Sequence, residues 1–215
     1  VIPSVGGHPK VIIFLTADTD ADSLVKFREN HHERFINTGV TEQNAVTVAS
    51  GLALSGKKVF IYSMVPFITM RCYEQIKIDI CSMKLPITLI GLGAGLSYSY
   101  YGPAGHGVID IAIMRALPEI TIFNPSDPIS ASAFAAMAYN NISPTYVRLH
   151  KGSTPKIYKD NESFADGFKI HKEGSDCCII STGIMVHRAL EVANELTAHS
   201  IDTSVIDLYR IKPIN

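Results

Sequence analysis

The sequence has no tryptophan and almost no excess charge: Lys plus Arg number 19 and Asp plus Glu 20, a formal net charge of -1 at pH 7. So even a balance excludes the basic footprint of a nucleic-acid binder or an anionic-membrane binder. No apolar run is long enough to span a bilayer, and the N-terminus lacks a signal-peptide layout, since Lys10 precedes only Val11–Leu15 before Asp18. The four cysteines, Cys72, Cys81, Cys177 and Cys178, show no zinc-finger spacing. All four are read as reduced packing residues of a cytosolic, hence cytoplasmic, protein. Nor is there a Walker loop, a serine-nucleophile elbow or a His-Glu-x-x-His pair. Gly91-Leu-Gly-Ala-Gly-Leu fails as a dinucleotide fingerprint because its third glycine would fall on Leu96, where no helix starts. Asp18, Asp20 and Asp22 alternate as at the start of a calcium loop, but the required Gly and closing Glu are missing, so they are read as loop solvation.

What is present is a chain of 215 residues, 47% hydrophobic and 18% charged, enough for one large domain or two small ones with a sizeable core. Short apolar runs at Val11–Leu15, Lys58–Ser63, Pro86–Gly91, Ile120–Asn124 and Thr145–Leu149 read as strands. Helices are expected between them: from Glu42 to Gly56, over Met70–Met83 and Val108–Leu117, and from Pro125-Ser-Asp-Pro to Tyr139 with Ser126 or Asp127 as cap. Met64–Thr69 reads as a turn broken by Pro66, and His31 and His32 as surface residues. The strands are continuous apolar runs rather than alternations, which predicts a parallel sheet covered on both faces in an α/β domain. Residues 153–175 are polar and read as a linker with a short hairpin. Cys177–Ser181, Gly183–His199 and Ser204–Leu208 then form one strand–helix–strand unit. One such unit cannot bury both faces of its sheet, so the second domain reads as cut short. The expected layout is a first domain at 1–152, the linker, and an incomplete α/β unit at 176–215.

The chain is organised around Arg34-Phe-Ile-Asn-Thr-Gly-Val-Thr-Glu-Gln-Asn-Ala-Val. An extended segment passes Gly39, Thr41 is placed to cap, and Glu42 opens a helix with Ala45, Val48, Ala49, Leu52 and Ala53 on one face. A glutamate there complements the helix dipole. Two further residues carry potential chemistry. His106 lies in the glycine-lined loop Tyr101-Gly-Pro-Ala-Gly-His-Gly, and Arg148 sits within the apolar strand Tyr-Val-Arg-Leu-His. A strand arginine usually pairs with an acid, and one near the strand's carboxyl end can grip a phosphate bidentately.

Thr38-Gly-Val-Thr-Glu-Gln-Asn-Ala-Val, Phe67-Ile-Thr-Met-Arg-Cys-Tyr-Glu-Gln, the Gly-Pro-x-x-His loop, Pro125-Ser-Asp and Tyr146-Val-Arg-Leu together resemble the pyrimidine-binding domain of the transketolase family, in the family's order. Thr182-Gly-Ile-Met-Val-His and the stretch from Ile206-Asp to Ile211-Lys-Pro-Ile resemble the start of its C-terminal domain. The pattern is similar to the C-terminal half of a transketolase split into two chains.

The resemblance implies a three-layer thiamine diphosphate-binding fold and transfer of a two-carbon ketol unit between sugar phosphates. It also implies roles for single residues. Glu42 would hydrogen-bond ring nitrogen N1′ of the aminopyrimidine and favour the tautomer that deprotonates the thiazolium. Phe67 would stack on that ring, and Arg71 would line the pocket. His106 would contact substrate hydroxyls and assist proton transfer, and Arg148 would hold the substrate phosphate. Met64 stands where a second stacking aromatic is expected, and Tyr98, Ser99, Tyr100 and Tyr101 replace the usual acidic approach to Gly-Pro, which points away from the usual pentose phosphates. The family's Gly-Asp-Gly…Asn motif for the diphosphate and Mg2+ (or Ca2+) is missing. The metal is therefore expected on a partner, a diphosphate-binding N-terminal subunit or domain, in a homodimer or heterotetramer. Two other thiamine enzymes fit the same motifs, a deoxyxylulose-phosphate synthase and a 2-oxo acid dehydrogenase β-type subunit; a third alternative is a non-catalytic assembly module.

Overall fold

The computed structural model describes residues 11–19 and 22–215, so the readings that rest on Lys10 and Asp20 lie outside the described residues. In chain order the first part forms β1 (Ile12–Thr16), α1 (Asp22–Asn30), β2 (Phe35–Asn37), α2 (Glu42–Leu54), β3 (Lys58–Met64), α3 (Val65–Ile68), α4 (Tyr73–Gln75), β4 (Ile87–Leu92), α5 (Asp110–Ala116), β5 (Thr121–Phe123), α6 (Pro128–Asn140) and β6 (Thr145–Leu149). The remainder forms β7 (Lys169–Lys172), β8 (Cys177–Ser181), α7 (Met185–Ala198), β9 (Thr203–Asp207) and β10 (Arg210–Lys212).

One sheet has seven strands in the order β10-β5-β6-β4-β3-β1-β2, and all its pairs are parallel except β10 with β5. Strand alternation sorts its side chains into two faces. On one face Ile13, Leu15, Val59, Ile61, Ile87, Leu89, Ile122 and Tyr146 bury themselves against α2, the α3–α4 region and α5. The other face carries Phe14, aligned between Phe35 and Phe60 on its neighbouring strands, with the α1 ring Phe27 5.8 Å away. On the same face Phe123 stacks at 4.7 Å on Phe134 of α6. The α/β fold with helices on both faces of a mainly parallel sheet is thus as expected. A second sheet, β7-β9-β8, pairs β8 with β9 in parallel and β7 with β9 antiparallel. Among the described residues no helix is long and apolar enough to cross a membrane.

Local chemistry explains the element ends. Helix α2 closes as a Schellman turn: Gly56, at φ +86°, donates to Ala53 O, and Lys57 donates to Leu52 O. Helix α6 opens on a capping box in which Asp127 accepts from Ser130 N at 2.8 Å and the Ser130 hydroxyl accepts from Asp127 N.

Several expectations are corrected. Thr41 precedes α2, but its hydroxyl donates to Thr38 O at 2.7 Å instead of capping the helix. Met64–Thr69 is not a turn, because Pro66 sits in the first turn of α3, where its missing N–H costs nothing. Met70–Met83 is not one helix. The chain breaks between α3 and α4, and Ile76–Cys81 winds as a wider π turn that buries Ile76, Ile80 and Cys81. Cys177 and Cys178 are exposed rather than packed, because β8 is an edge strand of the small sheet. Lys169–Lys172, within the stretch read as linker, is strand β7. The chain end returns to the large sheet as β10, with Arg210 opposite Phe123.

Candidate active site

In a parallel sheet the loops beyond the strands' carboxyl ends are free to build a site. Here Ser63, Gly91 and Arg148 stand in register near the carboxyl ends of β3, β4 and β6. With strands about 4.8 Å apart, that row spans about 10 Å. Gly91 is required at its centre: a Cβ there would lie 2.9 Å from the Tyr146 hydroxyl and 3.1 Å from Val65.

Three of the residues implied by the resemblance meet at one end of the row. Glu42, in the first turn of α2, is 2% exposed although it is charged. The Arg71 guanidinium donates to its Oε2 at 2.7 Å, and the Ser63 hydroxyl donates to Oε1 at 3.4 Å. The guanidinium carbon also lies 3.9 Å from the centroid of the Phe67 ring. The arginine can reach both because the break between α3 and α4 turns the backbone at this point; Arg71 N donates to Pro66 O at 3.2 Å. Behind it the Cys72 thiol is pushed up to about 12, by burial first and by the Glu42 charge second. Met64 occupies the residue before α3, half-buried, opposite Leu92.

His106 and Arg148 form a second group. Gly95 and Gly107 exchange backbone hydrogen bonds at 2.8 Å, which closes the loop that carries His106. Gly107 rests on Val65, where a Cβ would come within 2.7 Å of Cγ1, so the histidine loop is packed against the start of α3. Arg148 is drawn the same way: Nη2 donates to Gly107 O at 3.0 Å, and Nε donates to Asp110 Oδ2 at 2.8 Å. Tyr146, two residues earlier on the same face of β6, donates its hydroxyl to that same Oδ2 at 2.7 Å. Burial, then the Asp110 charge, raises the Tyr146 hydroxyl well above its ordinary range, so it stays a donor.

Asp110, Tyr146 and Ser63 were not singled out in the sequence. One signal was available for the first two: Tyr146 and Arg148 share a strand face, and a buried arginine there calls for an acid, of which Asp110 lies nearest the histidine loop. Above that loop Tyr98 fills a hollow at Gly93, where a Cβ would come within 2.2 Å of its ring. Lys151 lies 4.9 Å from the Tyr98 ring and 5.7 Å from that of Tyr100, while Tyr100 and Tyr101 are exposed.

A buried carboxylate and an aromatic ring, bridged by a partly exposed guanidinium, form a set of groups that fits the aminopyrimidine half of thiamine diphosphate. Residues 7–156 match the family "Transketolase, pyrimidine binding domain" and residues 166–215 match "Transketolase, C-terminal domain". An apulose-4-phosphate transketolase subunit of Actinobacillus succinogenes is 31% identical over 196 residues, covering 91% of this chain and 63% of that protein. The 6-deoxy-6-sulfo-D-fructose transketolase subunit SqwH of a Clostridium species is 32% identical, covering 95% of this chain and 64% of that protein. A solved structure described as a split gene transketolase, inactive beta4 tetramer, superposes with a TM-score of 0.86 at 33% identity, covering 96% of this chain and 67% of that one. The chain thus spans about two thirds of these relatives' length. With both family matches and the superposed structure in agreement, the chain belongs to the transketolase family and resembles the C-terminal subunit of its split members.

Proposed function

We propose that this chain supplies the aminopyrimidine site of a thiamine diphosphate-dependent transketolase that moves a two-carbon ketol unit between sugar phosphates. The observation that carries this reading is the Glu42 carboxyl, 2% exposed at the head of α2 and beside the Phe67 ring. A buried carboxylate is costly to keep unless it has a task or a partner. When bound, thiamine diphosphate supplies the electron sink for breaking a carbon–carbon bond next to a carbonyl.

The chain's own residues do the rest. Glu42 Oε2 is the atom to share a proton with a ring nitrogen, and the Ser63 hydroxyl on Oε1 holds the carboxyl in orientation. Phe67 and Met64 offer the apolar walls between which a flat ring is fixed. His106, on a loop pinned at Gly107 by Arg148, is placed to pass a proton to or from a substrate hydroxyl. Arg148 spends Nε on Asp110 and Nη2 on Gly107, and we assign the rest of its guanidinium edge to a substrate phosphate. The relatives named above act on apulose 4-phosphate and 6-deoxy-6-sulfofructose. Sugars with an anionic end are accordingly the class to screen first, with the Tyr98–Tyr101 wall and Lys151 beside that end.

No Gly-Asp-Gly occurs in this sequence. The diphosphate and its Mg2+ are therefore assigned to a diphosphate-binding partner subunit or domain, with the cofactor shared across the interface of a homodimer or a heterotetramer. Titration calorimetry with thiamine diphosphate and Mg2+ tests this, run on the chain alone and on its mixture with a diphosphate-binding transketolase subunit. Tight binding in the mixture alone is expected, with ketol transfer appearing at the same stoichiometry. Tight binding by the lone chain would overturn the shared site.

A further inference from the structure

Arg71 makes two contacts with one flat group: a 2.7 Å hydrogen bond from an edge nitrogen to Glu42 and a face contact at 3.9 Å to the Phe67 ring. An aminopyrimidine held by Glu42 and stacked on Phe67 would compete for the same carboxylate oxygen, Oε2, and the same aromatic ring. A guanidinium is planar, delocalised and rich in edge N–H donors, so it satisfies a carboxylate and an aromatic face together. The two groups are too alike to be accommodated at once. Resting on the thiamine reading above, we propose that Arg71 is an internal latch, which competes with the aminopyrimidine for Glu42 and Phe67 and must swing out before the ring can enter.

The surroundings support a latch over a fixed ligand. Glu42 is 2% exposed but the Arg71 side chain is 39% exposed, so the pair has a fixed member and a member open to solvent. Arg71 lies outside both short helices, in the break between Ile68 and Tyr73. Its side chain can therefore rotate without opening a helix. The anchors on either side stay put: Thr69 hydrogen-bonds back to Val65 O at 2.6 Å, and the Cys72 thiol to Phe67 O at 3.1 Å. Phe67 thus keeps its place whether or not the guanidinium covers it. With its arginine open to water, the contact is screened on that side and can be displaced. The latch also protects: with Arg71 in place, Glu42 is never a buried charge without a partner. Affinity for the ring is then lowered by the fraction of molecules with the latch closed.

The test uses thiamine itself, which has no diphosphate and so reports on this chain's half of the site. Its affinity is measured by calorimetry for the parent, Arg71→Ala and Arg71→Met, the last keeping an apolar stem over Phe67 in case the alanine variant folds poorly. Circular dichroism melts confirm folding. Both variants are expected to bind thiamine about tenfold more tightly than the parent, as for a binder freed of a mostly closed state. Tens of millimolar guanidinium chloride should weaken binding to Arg71→Ala, while equal sodium chloride should not, because the free ion refills the latch position. Equal or weaker binding in folded Arg71 variants, with thiamine bound by the parent, would overturn the latch and leave the thiamine site standing. No binding by any variant, even in a mixture with the diphosphate-binding subunit and thiamine diphosphate, would overturn the site itself and the latch with it.

Discussion

The Ser126 hydroxyl donates to Asp207 Oδ2 at 2.6 Å, tying the entrance of α6 to the end of β9 and so joining the two sheets. Tyr158 donates to the same oxygen at 2.8 Å, and the other carboxylate oxygen has no partner among the described residues. The His187 ring meets Ser126 O at 2.8 Å on the far side. Burial raises Asp207 to about 6 despite these two donors.

The sign of the resulting pH dependence follows. An acid whose folded pKa lies above its unfolded value binds its proton more readily when folded. Its penalty is therefore full above about pH 6 and is relieved as pH falls toward the unfolded value. Between pH 7.5 and pH 5 this group alone adds about 1 kcal/mol of stability. His150 and His171 act oppositely, since burial lowers both and the unfolded chain gains protons first on acidification. Asp207→Asn isolates the carboxylate. In urea unfolding the parent should gain about 1 kcal/mol relative to this variant on going from pH 7.5 to 5. A difference that does not change with pH would show that Asp207 is not held high.

Glu42→Gln should abolish ketol transfer in the reconstituted enzyme, by a factor of about 10²–10⁴ for a lost proton relay. The fold should survive. The amide keeps the shape and can still accept from Arg71, and the lost ion pair involves an arginine that is 39% exposed, so its loss costs less than about 1 kcal/mol. Initial rates and thermal melts on the same preparation separate the two effects. An undiminished rate would remove Glu42 from the mechanism.

Where local chemistry decides, the sequence was legible. β6 and β8 have the bounds that their apolar runs suggested, α2 begins at Glu42, and Asp127 caps α6. Glu42, Phe67 and Arg71 were grouped only by what the family resemblance of their two motifs implies; spacing alone did not bring them together. Long-range pairing was not legible. β7 is Lys-Ile-His-Lys and β10 is Arg-Ile-Lys, short and charged as edge strands are, and each is ordered by a distant partner. The break at Thr69–Cys72 was hidden because buried residues recur through Ile76, Ile80 and Cys81 at near-helical spacing. Arg148 was visible as a strand arginine, but its acid lies 38 residues away at a helix start that carried no other mark.

Thiol chemistry should divide the four cysteines into two pairs. Cys177 and Cys178 are exposed, whereas burial pushes Cys72 up to about 12 and Cys81 up to about 11. A thiol is reactive as its thiolate, so an aromatic disulfide reagent at pH 8 should find two fast equivalents in the native protein and all four in urea. A third fast equivalent, mapped by mass spectrometry to Cys72, would mean that the α3–α4 break opens as a unit rather than letting Arg71 turn alone.

Arg148→Ala should act on stability and on substrate together. The Arg148 side chain is 14% exposed and its partner Asp110 is 2% exposed, so truncation strands a buried carboxylate beside the Tyr146 hydroxyl. Breaking such a pair costs about 3–5 kcal/mol, well above the loss expected at Glu42. It also frees Gly107 O, the point at which the His106 loop is tied to β6. Loosening that loop should lower kcat for every substrate. A direct grip on phosphate should in addition raise KM for phosphorylated sugars more than for their unphosphorylated counterparts. Arg148→Lys separates the two roles, since it keeps a cation for the phosphate but cannot reach Asp110 and Gly107 O with a rigid fork. With lysine, the KM ratio between phosphorylated and free sugars should return most of the way to the parent value while the melting temperature stays low. If KM rises equally for both sugar classes in the alanine variant, Arg148 serves only to hold the histidine loop, and the phosphate must be gripped elsewhere.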